Sequence, residues 1–174
     1  GDALNMNYFP RSPQAIRDAG RLRTLILDCK AQDFPMGTSA GPFTETHDSA
    51  VDELRITVVD MNIYLNASKF SQLFSNASSE GLSIGKKKLT IVQEYKKHGS
   101  VGIISDQSDA ARALIRADVG IALNSGPTLS RELGNVIDLE SKPSKVIALI
   151  MLGRRFSTAR KAMAICLWAI AALN

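Results

Sequence analysis

Two carboxylates follow an apolar segment in the second half of this 174-residue chain, and their spacing could support metal chemistry. Residues 101–104 have the character of a buried strand, and the sequence S-D-Q-S-D follows, placing carboxyl groups at Asp106 and Asp109. In an open parallel sheet, ligands bind at the carboxyl ends of the strands. Two Asp side chains there could hold Mg²⁺, which prefers oxygen ligands. Equally, they could cap a helix beginning near Ala110, since Asp is a favoured N-cap residue.

The elements around this loop must position it. Residues 101–139 run as strand, acidic loop, helix, strand, glycine turn, helix and strand. Strands that alternate with helices through short loops predict a parallel sheet with helices on both faces. We therefore predict an α/β, Rossmann-like fold that carries the acidic loop at the carboxyl edge of its sheet.

The same residues resemble the phosphorylation domain of P-type cation-transporting ATPases, which are members of the haloacid-dehalogenase (HAD) superfamily. In those pumps a loop of the pattern T-G-D-G-x-N-D-A-P-A-L precedes a strand of the type A-D-V-G-I-A. This chain has I-S-D-Q-S-D-A-A-R-A-L at 104–114 and A-D-V-G-I-A at 117–122. The similarity needs no gap from Lys88 to about Arg160, and it is greatest to the catalytic subunit of the bacterial potassium pump. The resemblance implies a HAD-like fold, with ATP and Mg²⁺ as the ligands of the intact pumps.

The loop departs from the family pattern at several positions, three of which bear on its chemistry. Asp106 matches the Asp that binds Mg²⁺ in the family, but Asp109 replaces the Asn and Ala110 replaces the second Asp. Gln107 replaces a Gly, which would be costly if the turn required a positive φ. On a helix, a shift of one residue rotates a side chain by ~100°. We therefore expect Asp106 and Asp109 to bind Mg²⁺ weakly or not at all.

The segment at residues 23–30 resembles the family strand that ends in T-G-D. There Asp28 stands for the Thr, Cys29 for the Gly and Lys30 for the Asp. The sequence contains no D-K-T-G-T, the motif whose Asp accepts the phosphoryl group in the family. We therefore expect that the chain alone does not form the family's aspartyl-phosphate.

Lys88 is the candidate catalytic residue. It matches the Lys that reaches the phosphorylated Asp in the family, where an ammonium group would stabilise the negative charge of the transferring phosphate. The alternative is that residues 86–88, three consecutive Lys, only solvate the start of a helix.

Composition limits the class of protein. The length is sufficient for one α/β domain with a sizeable core. With 21 basic and 17 acidic residues, the formal charge is only +4, and the basic residues are not interleaved with aromatic ones. Surfaces that bind single-stranded nucleic acids combine a strong positive charge with interleaved aromatic side chains. This sequence has neither feature, so we predict no nucleic-acid partner.

The first half of the chain gives weaker predictions. Residues 31–85 match the family poorly, and we place no function there. The predicted elements are a helix at 14–19 ended by Gly20, strands at 22–27 and 54–59 with an extension at 64–65, a short helix at 69–74, and a helix carrying Lys88 that runs to His98.

The C-terminal segment combines a basic band with an apolar run. A helix is predicted from Lys145, with basic residues at 154–161 and an uncharged run at 162–173. That run is shorter than the ~20 residues needed to span a bilayer, yet basic residues beside an apolar run agree with the positive-inside rule. We predict a HAD-like segment at 1–160 and, at 161–174, the start of a membrane segment. The alternative is a helix that closes the core.

Two functional hypotheses follow. In the first, the chain is a segment of a P-type ATPase-like pump at the cytoplasmic face of a membrane, where the remaining pump domains are its partners and the C-terminal helix contacts the membrane. In the second, it is a HAD-like pseudoenzyme that acts as a binding or regulatory module.

Overall fold

Strands alternate with helices along the chain in a computed structural model, which describes residues 7–29, 56–65, 70 and 82–172. The strands are β1 (Tyr8–Pro10), β2 (Thr24–Asp28), β3 (Thr57–Asp60), β4 (Val101–Ser105), β5 (Val119–Leu123) and β6 (Val136–Asp138). The α-helices are α1 (Pro13–Ala19), α2 (Met61–Leu65), α3 (Ile84–Lys96), α4 (Ala111–Arg116), α5 (Thr128–Leu133) and α6 (Val146–Ala172). Short 3-10 turns at Ser108–Ala110 and Pro143–Lys145 precede α4 and α6.

The described strands form one sheet in the order β1-β6-β5-β4-β2-β3. Strands β2 to β6 pair in parallel, while β1 pairs antiparallel with β6 at one edge. The register places Asp28, the last residue of β2, opposite Ser105, the last residue of β4. The carboxyl ends of β2 and β4 therefore meet directly beneath the acidic loop.

Helices cover both faces of this sheet, as predicted. Strands β2, β4 and β5 are buried at every position, and successive side chains point to opposite faces. Leu25 and Leu27 pack in the layer that contains α1 and α6, whereas Ile26 packs in the layer of α2, α3 and α4. Burial of each such side chain contributes about 1.5–3 kcal/mol, so the apolar pattern alone favours this two-layer arrangement.

One predicted element is wrong. Residues 64–65 do not extend a strand, because Met61–Leu65 forms helix α2. Asp60 explains the switch, since its Oδ1 accepts hydrogen bonds from the backbone N–H and the side-chain Nδ2 of Asn62, at 2.9 and 3.1 Å. A carboxylate in that position favours a helix start over a continued strand. Apart from Phe70, the predicted helix at 69–74 lies outside the described residues, as does Lys30.

Helix α6 crosses α1 at a pair of glycines. A Cβ atom on Gly20 would lie 2.2 Å from the carbonyl carbon of Gly153, and one on Gly153 would lie 2.2 Å from the carbonyl oxygen of Ile16. Val146, Leu149 and other residues before this crossing are buried, whereas residues 155–165 are almost all exposed. The helix is continuous across the predicted boundary at 160/161. None of the described helices has both the length and the apolar character that crossing a bilayer requires.

Candidate active site

Lys88 is buried at the carboxyl edge of the sheet. It shares the inner face of α3 with Ile91, Val92 and Tyr95, which follow at the helical spacing of three, four and seven residues. This apolar face directs the Lys88 side chain inward, where it is only 2% exposed. Its Nζ donates to Asp28 Oδ2 at 2.8 Å and to Asp109 Oδ1 at 2.6 Å.

The neighbouring lysines behave differently. Lys86 is exposed, and the Nζ of Lys87 lies 5.8 Å from the centroid of the Phe70 ring. A solvated helix start therefore describes Lys86 but not Lys88. The structure brings Lys88 to the acidic loop, as its alignment predicts, although its catalytic role stays a prediction.

Asp28 is a member of this cluster that the sequence analysis did not identify as a site residue. Its side chain is 3% exposed and accepts a second hydrogen bond from Ser105 Oγ at 2.7 Å. Ser105 Oγ in turn accepts the backbone N–H of Gln107 at 3.0 Å. Burial raises the pKa of the Asp28 carboxyl, while the hydrogen bonds from Lys88 and Ser105 act in the opposite direction. The pairing of β2 with β4 brings Asp28 and Ser105 into contact. In the sequence, the signal for this site residue was an Asp at the end of an apolar strand.

Asp109 lies on the 3-10 turn and reaches back to Lys88. Its side chain is 38% exposed, so the ion pair is buried at the Lys88 ammonium and open to solvent at the Asp109 carboxylate. Neither the turn nor α4 has a side-chain N-cap hydrogen bond. The capping alternative for Asp106 and Asp109 is therefore wrong. Gly85 permits the close approach of α3, because a Cβ atom there would lie 2.7 Å from the carbonyl oxygen of Asp109.

Asp106 is directed elsewhere. Its Oδ1 accepts a hydrogen bond from Gln107 Nε2 at 2.6 Å. Gln107 has φ −101° and ψ 141°, an extended conformation, so replacement of the family's Gly costs nothing in this turn. The Gln107 carbonyl accepts from Ser130 Oγ at 2.8 Å, which ties the loop to α5. These hydrogen bonds therefore connect the loop to the rest of the domain.

The residues present fit a tight Mg²⁺ site poorly. One of the two predicted ligands, Asp109, already contacts an ammonium group, and Ala110, where the family has its second Asp, is fully buried. Within the described ranges, no group of three or more His, Cys, Asp or Glu side chains is arranged to hold a metal ion. Mg²⁺ requires near-ideal octahedral geometry, which this arrangement does not offer.

Among the described residues, several Asp carboxylates lie at this edge of the sheet. Strands β2, β3 and β6 each end in an Asp, and Asp106 follows β4. Burial, followed by the charges of Asp106, Asp28, Asp60 and Asp138, raises the pKa of the buried Cys29 thiol to about 12. In the cluster itself one ammonium, Lys88, faces two carboxylates. Such a site attracts cations more readily than a phosphate dianion.

Part of this chain is similar in sequence to a potassium-transporting ATPase subunit. It is 37% identical over 76 residues to the potassium-transporting ATPase ATP-binding subunit of Halobacterium salinarum, a match that covers 43% of this chain and 11% of the relative. The chain thus spans about a tenth of the length of this relative. No family model matches the chain.

Solved structures share the fold. A zinc-transporting PIB-type ATPase in its E2.Pi state superimposes with a TM-score of 0.68 at 12% identity, covering 95% of this chain and 46% of that one. A 3-deoxy-D-manno-octulosonate 8-phosphate phosphatase from Moraxella catarrhalis, in complex with magnesium and phosphate ions, gives a TM-score of 0.50 at 15% identity, covering 86% of this chain and 97% of that one. The predicted fold class and the predicted resemblance to P-type ATPases are confirmed.

Proposed function

We propose that this chain is a phosphorylation-domain segment of a P-type ATPase-like protein and that it does not itself transfer phosphate. The proposal rests on the burial and the ion pairing of Lys88. The residue aligned with the phosphate-contacting lysine of the family is 2% exposed and already held by Asp28 and Asp109.

Release of Lys88 for a phosphate ligand would be expensive. Removing one partner of a buried ion pair typically costs about 3–5 kcal/mol, because the other charge stays buried without compensation. A phosphate group would in addition approach Asp106 and Asp109 at short range. Both effects oppose the binding of the anion on which phosphoryl transfer depends.

The missing motifs point the same way. The sequence lacks D-K-T-G-T, and Ala110 stands where the family has a carboxylate. A complete pump could supply the phosphorylated Asp from sequence outside this chain. In that setting we propose the other pump domains as partners, the cytoplasmic face of a membrane as the location, and Asp106 with Lys88 as the residues nearest to Mg²⁺ and phosphate.

The second candidate is a HAD-like pseudoenzyme used for binding or regulation. The hydrogen-bonded loop favours it, because Ser105, Gln107 and Ser130 fix the acidic loop through hydrogen bonds within the protein. Under both candidate functions, the chain alone is not expected to hydrolyse ATP.

Phosphorylation with radiolabelled ATP tests the proposal. The wild-type chain is expected to hydrolyse neither ATP nor p-nitrophenyl phosphate and to form no acid-stable phosphoenzyme. Asp28→Asn and Asp106→Asn serve as matched controls. An acid-stable label that disappears in Asp28→Asn would identify Asp28 as a nucleophile and overturn the proposal. Turnover that disappears only in Asp106→Asn would show that the altered loop still works.

Mg²⁺ affinity gives an independent test. Titration calorimetry is expected to show millimolar or weaker binding, because Asp109 is engaged by Lys88 and Mg²⁺ tolerates poor geometry badly. Micromolar affinity that is lost in Asp106→Ala would contradict this expectation and favour an active pump segment.

A further inference from the structure

A strongly basic groove lies between α1 and α6, at the opposite end of the sheet from Lys88. The cavity has a volume of about 780 Å³. Six cationic side chains line it, three from each flank: Arg17, Arg21, Arg23, Arg154, Arg160 and Lys161. Among the described residues, no acidic side chain lines it. Positive charge is therefore concentrated in the groove, although the net charge of the whole chain is small.

The groove is separate from the candidate active site. Arg23 immediately precedes β2, whereas Asp28 ends that strand. At ~3.3 Å per residue, these two ends lie roughly 16 Å apart. The groove also opens on the face of the sheet that carries α1 and α6, while Lys88 belongs to α3 on the other face.

The cations of the α1 flank are only weakly neutralised. Arg17 donates to the neutral Gln14 Oε1, and Arg21, whose side chain is 60% exposed, lies 4.0 Å from Asp18 Oδ1. On the other flank, burial and the nearby charge of Arg23 lower the pKa of Arg154. Cationic side chains on both flanks of the groove together favour an anionic ligand.

The same helix also exposes apolar side chains. Phe156, Met163 and Ile165 are 47%, 65% and 67% exposed, and they lie among or just beyond the basic residues of α6. From residue 162 to residue 173 the sequence contains no charge. Basic side chains beside exposed apolar ones suit a membrane interface, where Arg and Lys reach the lipid phosphates and apolar side chains enter the acyl region.

We propose that this groove binds the phosphate groups of anionic lipids and holds the domain against a membrane surface. Arg17 and Arg21 of α1 contact the headgroups together with Arg160 and Lys161 of α6. The exposed side chains of Met163 and Ile165 insert between the lipids. Nucleic acid fits less well, because none of the described residues that line the groove is aromatic and could stack on bases. The proposal does not depend on whether the Lys88 site is catalytic.

Vesicle co-sedimentation of the full chain tests this proposal. The vesicles are pure phosphatidylcholine or phosphatidylcholine mixed with phosphatidylglycerol. Wild-type protein is expected to bind the anionic vesicles more tightly, and binding should weaken with salt. The double variant Arg17→Gln/Arg21→Gln should lose roughly 25-fold in affinity, since each basic residue at an anionic surface contributes about fivefold. Both side chains lie outside the apolar run, so insertion itself is unchanged.

The matched control is Arg112→Gln/Arg116→Gln. It removes the same charge from exposed positions on α4, on the other face of the sheet, and should keep nearly the wild-type affinity. Equal losses in both double variants would show that only net charge matters and would overturn the proposal. Equal binding to neutral and anionic vesicles would also overturn it, because the apolar run would then act alone.

Two further arms identify the ligand. Inorganic phosphate and a single-stranded oligonucleotide are titrated with wild type and with Arg17→Gln/Arg21→Gln. Weak binding of both supports a lipid surface as the ligand. Micromolar binding of either one that is lost in the double variant would assign the groove to that ligand and reject the membrane proposal. Thermal unfolding by circular dichroism checks that both double variants fold, which we expect because Arg21, Arg112 and Arg116 are exposed and Arg17 is only half-buried.

Discussion

At the scale of single residues, the Lys88 cluster sets both the charge and the chemistry of the candidate site. The ammonium group of Lys88 neutralises one of two carboxylates, and Ser105 supplies a further hydrogen bond to Asp28. Each polar group therefore has a partner inside the protein. Changes at these positions should alter stability in ways that depend on which partner is removed.

Replacement of Lys88 by Met should destabilise the fold. The variant leaves Asp28 buried without its cation, and loss of one partner of such a pair costs about 3–5 kcal/mol. Urea unfolding measures the change in free energy. The exposed neighbour provides the control, as Lys86→Met should stay within about 0.5 kcal/mol of wild type. Adding Asp28→Asn to Lys88→Met should recover part of the loss, and failure to recover any would exclude the buried charge as its cause.

Asp28 should also make stability depend on pH. Because burial raises its pKa in the folded state, the folded protein holds this proton more tightly than the unfolded chain. The stabilising contribution is full below the unfolded-state pKa and is lost as pH rises through the folded-state pKa. Asn resembles the protonated form at every pH. The free energy of unfolding of Asp28→Asn, relative to wild type, should therefore increase as pH rises from about 4. A relative stability that falls with pH would mean that Lys88 dominates over burial.

At the scale of elements, the contact between α1 and α6 requires glycine at the C-terminal end of α1 and within α6. Gly153→Ala would bring a methyl group to 2.2 Å from the Ile16 carbonyl oxygen. Since backbone atoms cannot move aside cheaply, we expect a loss of about 1–3 kcal/mol in urea unfolding. Ser157→Ala, on the same helix one turn later, should change stability by less than about 0.5 kcal/mol. Equal stability of the two variants would show that the helices can separate freely.

Elements were predictable from sequence where one face of the chain had a continuous apolar pattern. The strands at Thr24–Asp28, Val101–Ser105 and Val119–Leu123 follow from such runs. Helix α2 was missed because its start depends on one carboxylate, Asp60, acting as a cap after a short strand. Asp28 was missed as a site residue for another reason: its partners lie 60 and 77 positions away, and only the pairing of the strands brings them together.

At the scale of the whole molecule, the core lies on both sides of the central strands, and β1 lies at the sheet edge. β4 pairs with β2 and β5, whereas β1 pairs with β6 through three residues. The basic groove was not predictable at this scale. Its two flanks, at residues 17–23 and 154–161, are far apart in sequence, and no local pattern marks them as neighbours.

Hydrogen exchange should follow this organisation. Amides of β4 are expected to exchange only through global unfolding, since the strand is buried at every position and paired on both sides. Amides of β1 should exchange faster, through local opening of the edge. Mass spectrometry of peptides covering the two strands measures the difference. Equal protection of β1 and β4 would indicate that the edge strand unfolds only with the core.

The glycine crossing has a mechanical consequence. Beyond Gly153, α6 continues to Ala172, a length of about 28 Å at ~1.5 Å per residue. Because α6 packs against α1 at the crossing, the part of the helix beyond Gly153 would pivot about that point. A tilt of about 10° there would displace the far end by about 5 Å. A small rotation of α1 against the sheet would therefore cause a several-fold larger displacement at the C-terminal end of α6.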